Sequence, residues 1–311
     1  MTIRSAPLRS VDTRVTVGSL ELRHAVMTAS GTAGYGSEFA PYFDLSTIGA
    51  VVTKSIAAYE WAGNPPPRVH PTPLGMLNAV GLQGPGIEHW LTNTLPGLLD
   101  TGATVVCSIW GRSVDDYRRA ADLLADAPAG VVAVEVNLSC PNLEGRGAIF
   151  AHDAELSAEV IAATAGCNRP RWAKLSANTD RIVEVAAACR EAGAEAVTLI
   201  NTLLGLAYDP ATMKPSLGNG GGGLSGRAIH PVAVRAVHDV RRAIPDLAIV
   251  GVGGVADGWS AIELLLAGAN AVQVGTASFA DPRACARVAD EIVTSAAARH
   301  MARVADFNAV V

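Results

Sequence analysis

Cys140 is the side chain of this sequence best suited to chemistry. It comes just after the apolar run 131–137, in the segment VNLSCPN at 136–142, with amides at Asn137 and Asn142. A thiol among such polar neighbours can act as a nucleophile or as a general base near neutral pH. We therefore predict that Cys140 is catalytic.

The other cysteines are expected to be structural. Cys107 alternates within an apolar run, while Cys167, Cys189 and Cys285 fall on helices or at their ends. An odd, scattered set without CxxC spacing is typical of reduced thiols in the cytosol, and it disfavours an iron–sulfur cluster or a structural zinc. The seven histidines include no HExxH motif. We predict no metal site and a cytoplasmic location.

Further polar residues stand where apolar runs end. Most are uncharged and many are amides, a set suited to a planar, hydrogen-bonding ligand. Two are lysines, which would supply positive charge to an anionic cofactor or to a carboxylate substrate. Glu135 is expected to point away from the site. The residues at these ends are Ser30, Lys54, Ser108, Asn137, Lys174, Asn201, Thr202, Gly253, Gly254, Gly275 and Thr276.

Two of these ends predict a phosphate site. GVGGV at 251–255 and VGTA at 274–277 each place glycine-rich backbone just before a predicted helix, where N–H groups bind anions. The segment Gly218–Gly223 also matches GxGxxG. It follows a polar loop rather than a strand, so we interpret it as a flexible loop closing near the ligand and not as a dinucleotide site.

The elements that must position these residues follow from the apolar pattern. Short β-branched runs alternate with helical stretches such as 115–124, 180–192, 230–243 and 259–267. Eight strand–helix units predict an α/β fold, a (β/α)₈ TIM barrel, as a single domain over residues 1–311. The predicted strands are Ala25–Ala29, Ile48–Thr53, Thr104–Ile109, Val131–Asn137, Trp172–Leu175, Ala196–Ile200, Ala248–Gly251 and Ala271–Val274.

Two additions to the barrel are predicted. Residues 15–17 and 20–22, around Gly18 and Ser19, indicate a β-hairpin that closes the barrel bottom before the first strand. The long stretches after strands one, two, four and six would form inserted loops on the C-terminal face, where TIM-barrel active sites lie.

Composition excludes several classes of protein. The chain of 311 residues carries 24 Lys and Arg against 29 Asp and Glu, a net charge of −5, which argues against nucleic-acid binding. Half of the residues are hydrophobic, yet no uninterrupted apolar run approaches the roughly 20 residues of a membrane-spanning helix. We therefore expect neither nucleic acid nor membrane as a partner.

Six motifs in order along the chain resemble those of dihydroorotate dehydrogenases of class 1, most closely the class 1B catalytic subunit. The likeness runs from about residue 17 to residue 281. The motifs are MLNAVGLQGPG (76–86), VNLSCPN (136–142), NTLLGLAYD (201–209), GGLSGRAI (222–229), GVGGV (251–255) and VGTASFADP (274–282). The resemblance implies an FMN-binding barrel that oxidises (S)-dihydroorotate to orotate in de novo pyrimidine biosynthesis.

The resemblance also implies a role for each matching residue. Cys140 would be the base that takes the C5 proton while a hydride passes from C6 to N5 of FMN. The substrate would be bound by Lys54, Asn78, Ala79, Val80, Gly81, Leu82, Asn137, Asn142, Asn201 and Thr202. The flavin and its phosphate would be bound by Ser30, Lys54, Ser55, Ser108, Asn137, Lys174, Ile200, Gly226, Gly253, Gly254, Gly275 and Thr276.

Relatives of this type imply partners as well. Class 1B enzymes pass electrons to NAD⁺ through a subunit that carries FAD and a [2Fe–2S] cluster. Class 1 enzymes are homodimers or larger, and the 1B type forms heterotetramers.

Departures from the family pattern keep other functions open. Trp110 is large for its place after the third strand, the loop 143–153 lacks the usual AFG, and Trp61 with Pro65–Pro67 elaborates the second loop. The same flavin barrel could act on another substrate, as dihydropyrimidine dehydrogenases do, although Asn142 stands where those have His. A non-flavin phosphate-binding barrel would need a pair of catalytic acids that the strand ends lack. A scaffold without activity would not need Cys140 and both lysines.

Overall fold

Eight parallel strands form a barrel in the computed structural model, which describes residues 11–139 and 149–309. Their order around the barrel is their order in the chain, and a bridge from Met27 to Ala50 joins the first to the second. The strands of the described residues are β1 (Val15–Val17), β2 (Leu20–Leu22), β3 (Val26–Thr28), β4 (Val51–Val52), β5 (Val69–Thr72), β6 (Gly75–Asn78), β7 (Val105–Ile109), β8 (Val131–Asn137), β9 (Arg171–Leu175), β10 (Ala196–Leu199), β11 (Leu203–Gly205), β12 (Gly222–Ser225), β13 (Ala248–Val252) and β14 (Ala271–Val274).

The barrel strands are β3, β4, β7, β8, β9, β10, β13 and β14, and all eight overlap the predicted runs. Nearly all of their residues are buried because helices cover the outside and side chains fill the interior. The apolar composition of the chain therefore belongs to the barrel walls. None of the helices in the described stretches is long and apolar enough to span a membrane.

Helices follow the barrel strands and pack around them. A short 3-10 turn at Leu45–Thr47 takes the place of an α-helix between the first two barrel strands. The described α-helices are α1 (Ile87–Asn93), α2 (Leu95–Leu99), α3 (Val114–Asp122), α4 (Ala154–Ala163), α5 (Ile182–Glu191), α6 (His230–Ala243), α7 (Gly258–Leu266), α8 (Ala277–Ala280) and α9 (Ala284–Ala298). Further 3-10 turns lie at Phe150–His152, Thr164–Cys167, Arg227–Ile229 and Val304–Ala309.

The predicted hairpin is present. Strands β1 and β2 pair antiparallel and lie at the N-terminal end of the barrel, where Ser19 N–H donates to the Glu195 carboxylate at 2.8 Å. Val15, Val17 and Leu22 of the hairpin are buried. The hairpin therefore closes the barrel bottom with apolar side chains.

A second, four-stranded antiparallel sheet lies at the C-terminal end of the barrel. We call it the mouth sheet; its strand order is β11-β12-β6-β5. The sheet joins the insertions after the second and sixth barrel strands, since Asn78 of β6 pairs with Gly223 of β12. The interpretation of Gly218–Gly223 as a flexible loop was wrong for its end, because Gly222 and Gly223 hydrogen-bond within this sheet.

Candidate active site

One cavity of about 1100 Å³ lies between the C-terminal ends of the barrel strands and the mouth sheet. Every predicted site residue within the described ranges lines it, except Ser108. Cys140 and Asn142 lie outside the described residues. The predicted residues that line the cavity are Ser30, Lys54, Ser55, Asn78, Ala79, Val80, Gly81, Leu82, Asn137, Lys174, Ile200, Asn201, Thr202, Gly226, Gly253, Gly254, Gly275 and Thr276.

Three serine hydroxyls form a triangle on one wall. Ser55 Oγ lies 3.1 Å from Ser30 Oγ and 2.9 Å from Ser108 Oγ, and Ser30 donates to Ser108 at 3.2 Å. Ser108 is fully buried behind the other two. Ser108 therefore acts on the cavity only through the hydroxyls of Ser30 and Ser55.

Amide side chains link the ends of alternate barrel strands, since β9 lies between β10 and β8 and β7 lies between β8 and β4. Asn201 Nδ2 donates to Asn137 Oδ1 at 3.1 Å, and Asn137 Nδ2 donates to Ser55 Oγ at 3.1 Å. On the mouth sheet, Asn78 Nδ2 donates to the Gly223 carbonyl at 3.2 Å. These bonds fix the orientation of three amides that face one cavity, which suits recognition of a planar ring bearing carbonyl and N–H groups.

Lys54 extends from the end of β4 toward the mouth of the cavity. Its Nζ donates to the Tyr35 hydroxyl at 3.1 Å and to the Gln83 carbonyl at 2.5 Å. Burial, and secondarily the positive charge of Arg68, lowers the pKa of Lys54 to about 8. Burial, and secondarily the charge of Glu38, raises the pKa of Tyr35 to about 12, so the phenol stays neutral beside the ammonium.

Lys174 reaches the cavity from inside the barrel. Its Nζ lies 3.7 Å from Glu135 Oε1, and both side chains are buried. Glu135 Oε2 accepts from Thr198 Oγ1 at 3.1 Å and from Gln273 Nε2 at 2.8 Å. Glu135 does not line the cavity, in agreement with the expectation that it points away from the site. Its side chain lies in the barrel interior against Lys174.

Glycine-rich backbone forms the opposite end of the cavity. Within residues 11–139 and 149–309, the N–H groups of Gly254 and Thr276 have no protein acceptor. Gly226 has a φ of 94°, and a Cβ there would lie 2.5 Å from Gly75 Cα. Unpaired N–H groups on close-packed glycine backbone are the features that bind a phosphate.

Trp110 belongs to an aromatic cluster beside the cavity. Its ring packs edge-on against Tyr59 and Trp61, at centroid distances of 6.3 Å each, and Leu82 packs against the cluster. Trp61 Nε1 donates to the Gly81 carbonyl at 3.0 Å. Trp110 is buried and is not among the residues that line the cavity, so it supports the segment 79–82 from behind.

Sequence reasoning missed several residues of this site. Ser176 and Asn178 line the cavity just past Lys174, and Asn178 Nδ2 donates to the Thr202 carbonyl at 3.1 Å. Reading further along the end of the fifth barrel strand would have found both. Tyr35 gave no comparable signal, because its contact with Lys54 depends on how the first loop folds.

The remaining described cysteines fit the structural role predicted for them. Burial raises the pKa of the Cys107, Cys189 and Cys285 thiols to about 12, and it also raises the pKa of Cys167. All four are free and buried. They stay protonated thiols in the packed interior and have no access to the cavity chemistry.

A structure of dihydroorotate dehydrogenase from Eimeria tenella, in complex with ferulenol, has the same fold. It superposes with a TM-score of 0.76 at 20% sequence identity, over 95% of this chain and 87% of that one. At this identity the likeness concerns the architecture of the barrel.

Comparison of the sequence with known proteins identifies the family more specifically than the shared fold does. Residues 13–295 match the family model described as dihydroorotate dehydrogenase. Similar proteins include the catalytic subunit of dihydroorotate dehydrogenase B (NAD(+)) from Geobacter sp. strain M21, 46% identical over 90% of this chain and 92% of the relative. The Trichlorobacter lovleyi protein of the same name is 47% identical over 89% of this chain and 90% of the relative.

A third relative matches over a larger share of both chains. The protein of that name from Pelobacter propionicus is 45% identical over 95% of this chain and 97% of the relative. Family model, identity and coverage agree, and the chain belongs to the dihydroorotate dehydrogenase family.

Proposed function

We propose that this protein oxidises (S)-dihydroorotate to orotate with FMN, as the catalytic subunit of a class 1B dihydroorotate dehydrogenase in pyrimidine biosynthesis. The observation that carries the proposal is the cavity, whose lining joins the amides, both lysines and the glycine-rich backbone in one space. The names of the relatives support the substrate and the electron acceptor. We further propose a single domain over residues 1–311 and a cytoplasmic location.

The residues present suit FMN. Gly226, Gly254 and Thr276 would hold the phosphate through backbone N–H groups that have no acceptor within the described ranges. Ser30, Ser55 and Ile200 would contact the ring system, and Lys174 would face its N1/O2 edge. FMN, when bound, supplies N5 as the acceptor of a hydride.

The chain's own groups would then act on the substrate. Cys140, as the thiolate, takes the proton from C5, and the electron pair of that C–H bond forms the C5–C6 double bond as hydride leaves C6. Lys54 is on the cavity wall with a lowered pKa and offers positive charge to an anionic ligand when protonated. Asn78, Asn137 and Asn201 orient the ring through their amide groups.

Lys174 and Glu135 would set the charge beside the bound flavin. Glu135 is held by Thr198 and Gln273 and so cannot turn away from Lys174. An ammonium at the N1/O2 edge would stabilise the negative charge of the reduced ring. The Lys174 ammonium, held by Glu135, would thus favour reduction of the bound flavin.

We also propose a partner subunit that carries FAD and a [2Fe–2S] cluster and passes the electrons to NAD⁺. The words "catalytic subunit" in the names of the relatives support a second subunit. The side chains of Leu74, Leu204 and Leu206 are more than half exposed at the outer part of the cavity, and exposed apolar groups of this kind favour protein contacts. We propose that this chain forms a homodimer by itself or a heterotetramer with the partner subunit. Light scattering of the chain alone and of the chain mixed with the partner would distinguish the two assemblies.

An anaerobic titration tests the function. Purified protein should carry FMN, and dihydroorotate should bleach the flavin absorption band at about 450 nm. Cys140→Ala should retain FMN and slow the bleaching by a factor of about 100 or more. Cys189→Ala, which removes a buried helix thiol, should bleach at the wild-type rate.

The same titration tests the alternative function, in which the same flavin barrel oxidises another dihydropyrimidine. Dihydrouracil, run side by side, should leave the flavin oxidised. Bleaching by dihydrouracil and not by dihydroorotate would assign the barrel to a different pyrimidine. A colourless protein that fails to take up FMN would reject the flavin assignment itself.

A further inference from the structure

His230 is the first residue of α6 and lies behind the glycine-rich end of the cavity. Its Nδ1 lies 2.8 Å from the carbonyl oxygen of Gly253, and its Nε2 lies 3.2 Å from Glu263 Oε2. The His230 side chain is only 13% exposed. It does not line the cavity, whereas Gly253 and Gly254 do.

The contact with Gly253 determines which ring nitrogen donates. A carbonyl oxygen only accepts hydrogen bonds, so Nδ1 must donate to Gly253. Nε2, on the other side of the ring, faces the Glu263 carboxylate. Glu263 comes from α7, and the nearby Arg227 is paired with Asp257 at 2.8 Å.

Helix α6 packs closely against the glycine pair. A Cβ at Gly254 would lie 2.5 Å from His230 Cβ, and a Cβ at Gly253 would lie 2.9 Å from Ala233 Cβ. Gly254 also has a φ of 73°, which favours glycine. The backbone of Gly253 and Gly254 is therefore packed directly against His230 and the first turn of α6.

We propose that His230 is a positioning residue for the phosphate end of the cavity. In a trans peptide unit the carbonyl of Gly253 and the N–H of Gly254 point in opposite directions. By holding the carbonyl on the α6 side, His230 turns the Gly254 N–H toward the cavity, where it has no acceptor within the described residues. Glu263 in turn fixes the His230 ring.

This inference rests on the proposed function, since it takes the phosphate of FMN as the anion bound here. It adds a residue that touches neither cofactor nor substrate. Its signature is a preference for the phosphorylated flavin: removing the His230 bond should weaken FMN and leave riboflavin, which lacks the phosphate, unaffected.

Equilibrium binding of FMN and of riboflavin to the apoprotein tests the idea. His230→Gln, whose amide replaces Nε2 and not Nδ1, should weaken FMN binding by about tenfold, as expected for one lost hydrogen bond, with riboflavin binding unchanged. His230→Asn places an N–H where Nδ1 was and should restore most of the FMN affinity. Thermal unfolding of each apoprotein shows whether the variant is folded.

The outcomes are distinct. Equal FMN-to-riboflavin preference in wild type and His230→Gln would overturn the positioning role while leaving the FMN assignment intact. Equal loss of both flavins in a folded His230→Gln variant would also overturn it, because the effect would not concern the phosphate. Wild-type apoprotein that binds neither flavin would instead overturn the proposed function.

Discussion

The Lys174 ammonium lies 3.7 Å from the Glu135 carboxylate, and neither side chain has appreciable contact with solvent. The two residues belong to adjacent barrel strands, β9 and β8. Charges taken out of water in this way depend on each other, since either one alone would be unpaired in a medium of low dielectric constant.

Glu135→Leu should therefore destabilise the protein strongly. Loss of one partner of a buried pair costs about 3–5 kcal/mol in the free energy of unfolding, measured by urea denaturation. The double variant Glu135→Leu/Lys174→Met should recover much of that loss. Glu159→Ala, on the exposed face of α4, is the control and should change little. Additive losses in the double variant would show that the two charges are not coupled.

Lys54 should react with amine-directed reagents at lower pH than an ordinary lysine. Its pKa of about 8 makes it half deprotonated near that pH, and peptide mapping of apoprotein labelled between pH 6 and 10 measures the profile. The chain has only two other lysines, and the exposed Lys214 is the internal reference. A Lys54 profile that coincides with that of Lys214 up to pH 10 would contradict the burial effect.

The same lowered pKa predicts how stability varies with pH. The unfolded chain holds the Lys54 proton up to about pH 10.4, whereas the folded protein releases it near pH 8. Between these values the unfolded state binds more protons, so the free energy of unfolding of wild type should rise with pH relative to that of Lys54→Met. Equal slopes for the two proteins between pH 8 and 10 would argue against it.

Trp61→Phe should loosen the segment 79–82. The substitution keeps an aromatic ring beside Tyr59 and Trp110 but removes the Nε1–H donor to the Gly81 carbonyl. One such bond contributes about 1 kcal/mol, so the KM for dihydroorotate should rise by about fivefold with a smaller change in kcat. Trp259→Phe, at a half-exposed position of α7, should leave KM unchanged.

Gly226→Ala should impair flavin binding and stability together. A Cβ at this residue would lie 2.5 Å from Gly75 Cα, with φ at 94°, so the phosphate end must shift. We expect a loss of about 1–3 kcal/mol in the free energy of unfolding and weaker FMN binding. Gly97→Ala, in α2 with open space around it, should be neutral or stabilising by up to about 1 kcal/mol. Unaltered FMN binding in Gly226→Ala would contradict the close packing.

The barrel was predictable because each of its strands corresponds to a nearly continuous apolar run in the sequence. The run Val131–Asn137 matches β8 at both ends. Ile48–Thr53 shortens to the two residues of β4, since only Val51 and Val52 pair with β7 in register. The residues at strand ends followed from the barrel, as the carboxyl ends of parallel strands meet at one face.

The mouth sheet was not predictable from local pattern. Strand β5 contains Pro71 and β12 begins with Gly222 and Gly223, residues that are rare in strands. β5 pairs with the next strand, β6, in a hairpin, and the two hairpins become one sheet only because β6 pairs with β12 across a long stretch of chain. The contact of Tyr35 with Lys54 likewise depends on how the loop after β3 folds, and local sequence gives no sign of it.

The pairing of β6 with β12 has a consequence for the order of folding. Asn78 and Gly223 are separated by 145 positions, and four barrel strands come between them in the chain. Contacts of such high sequence separation carry a large loop-closure entropy and form late. The pairing of β3 with β14, which closes the barrel, spans even more of the chain, from Val26 to Val272, so the closed barrel and the sheet over its mouth are both late steps of folding.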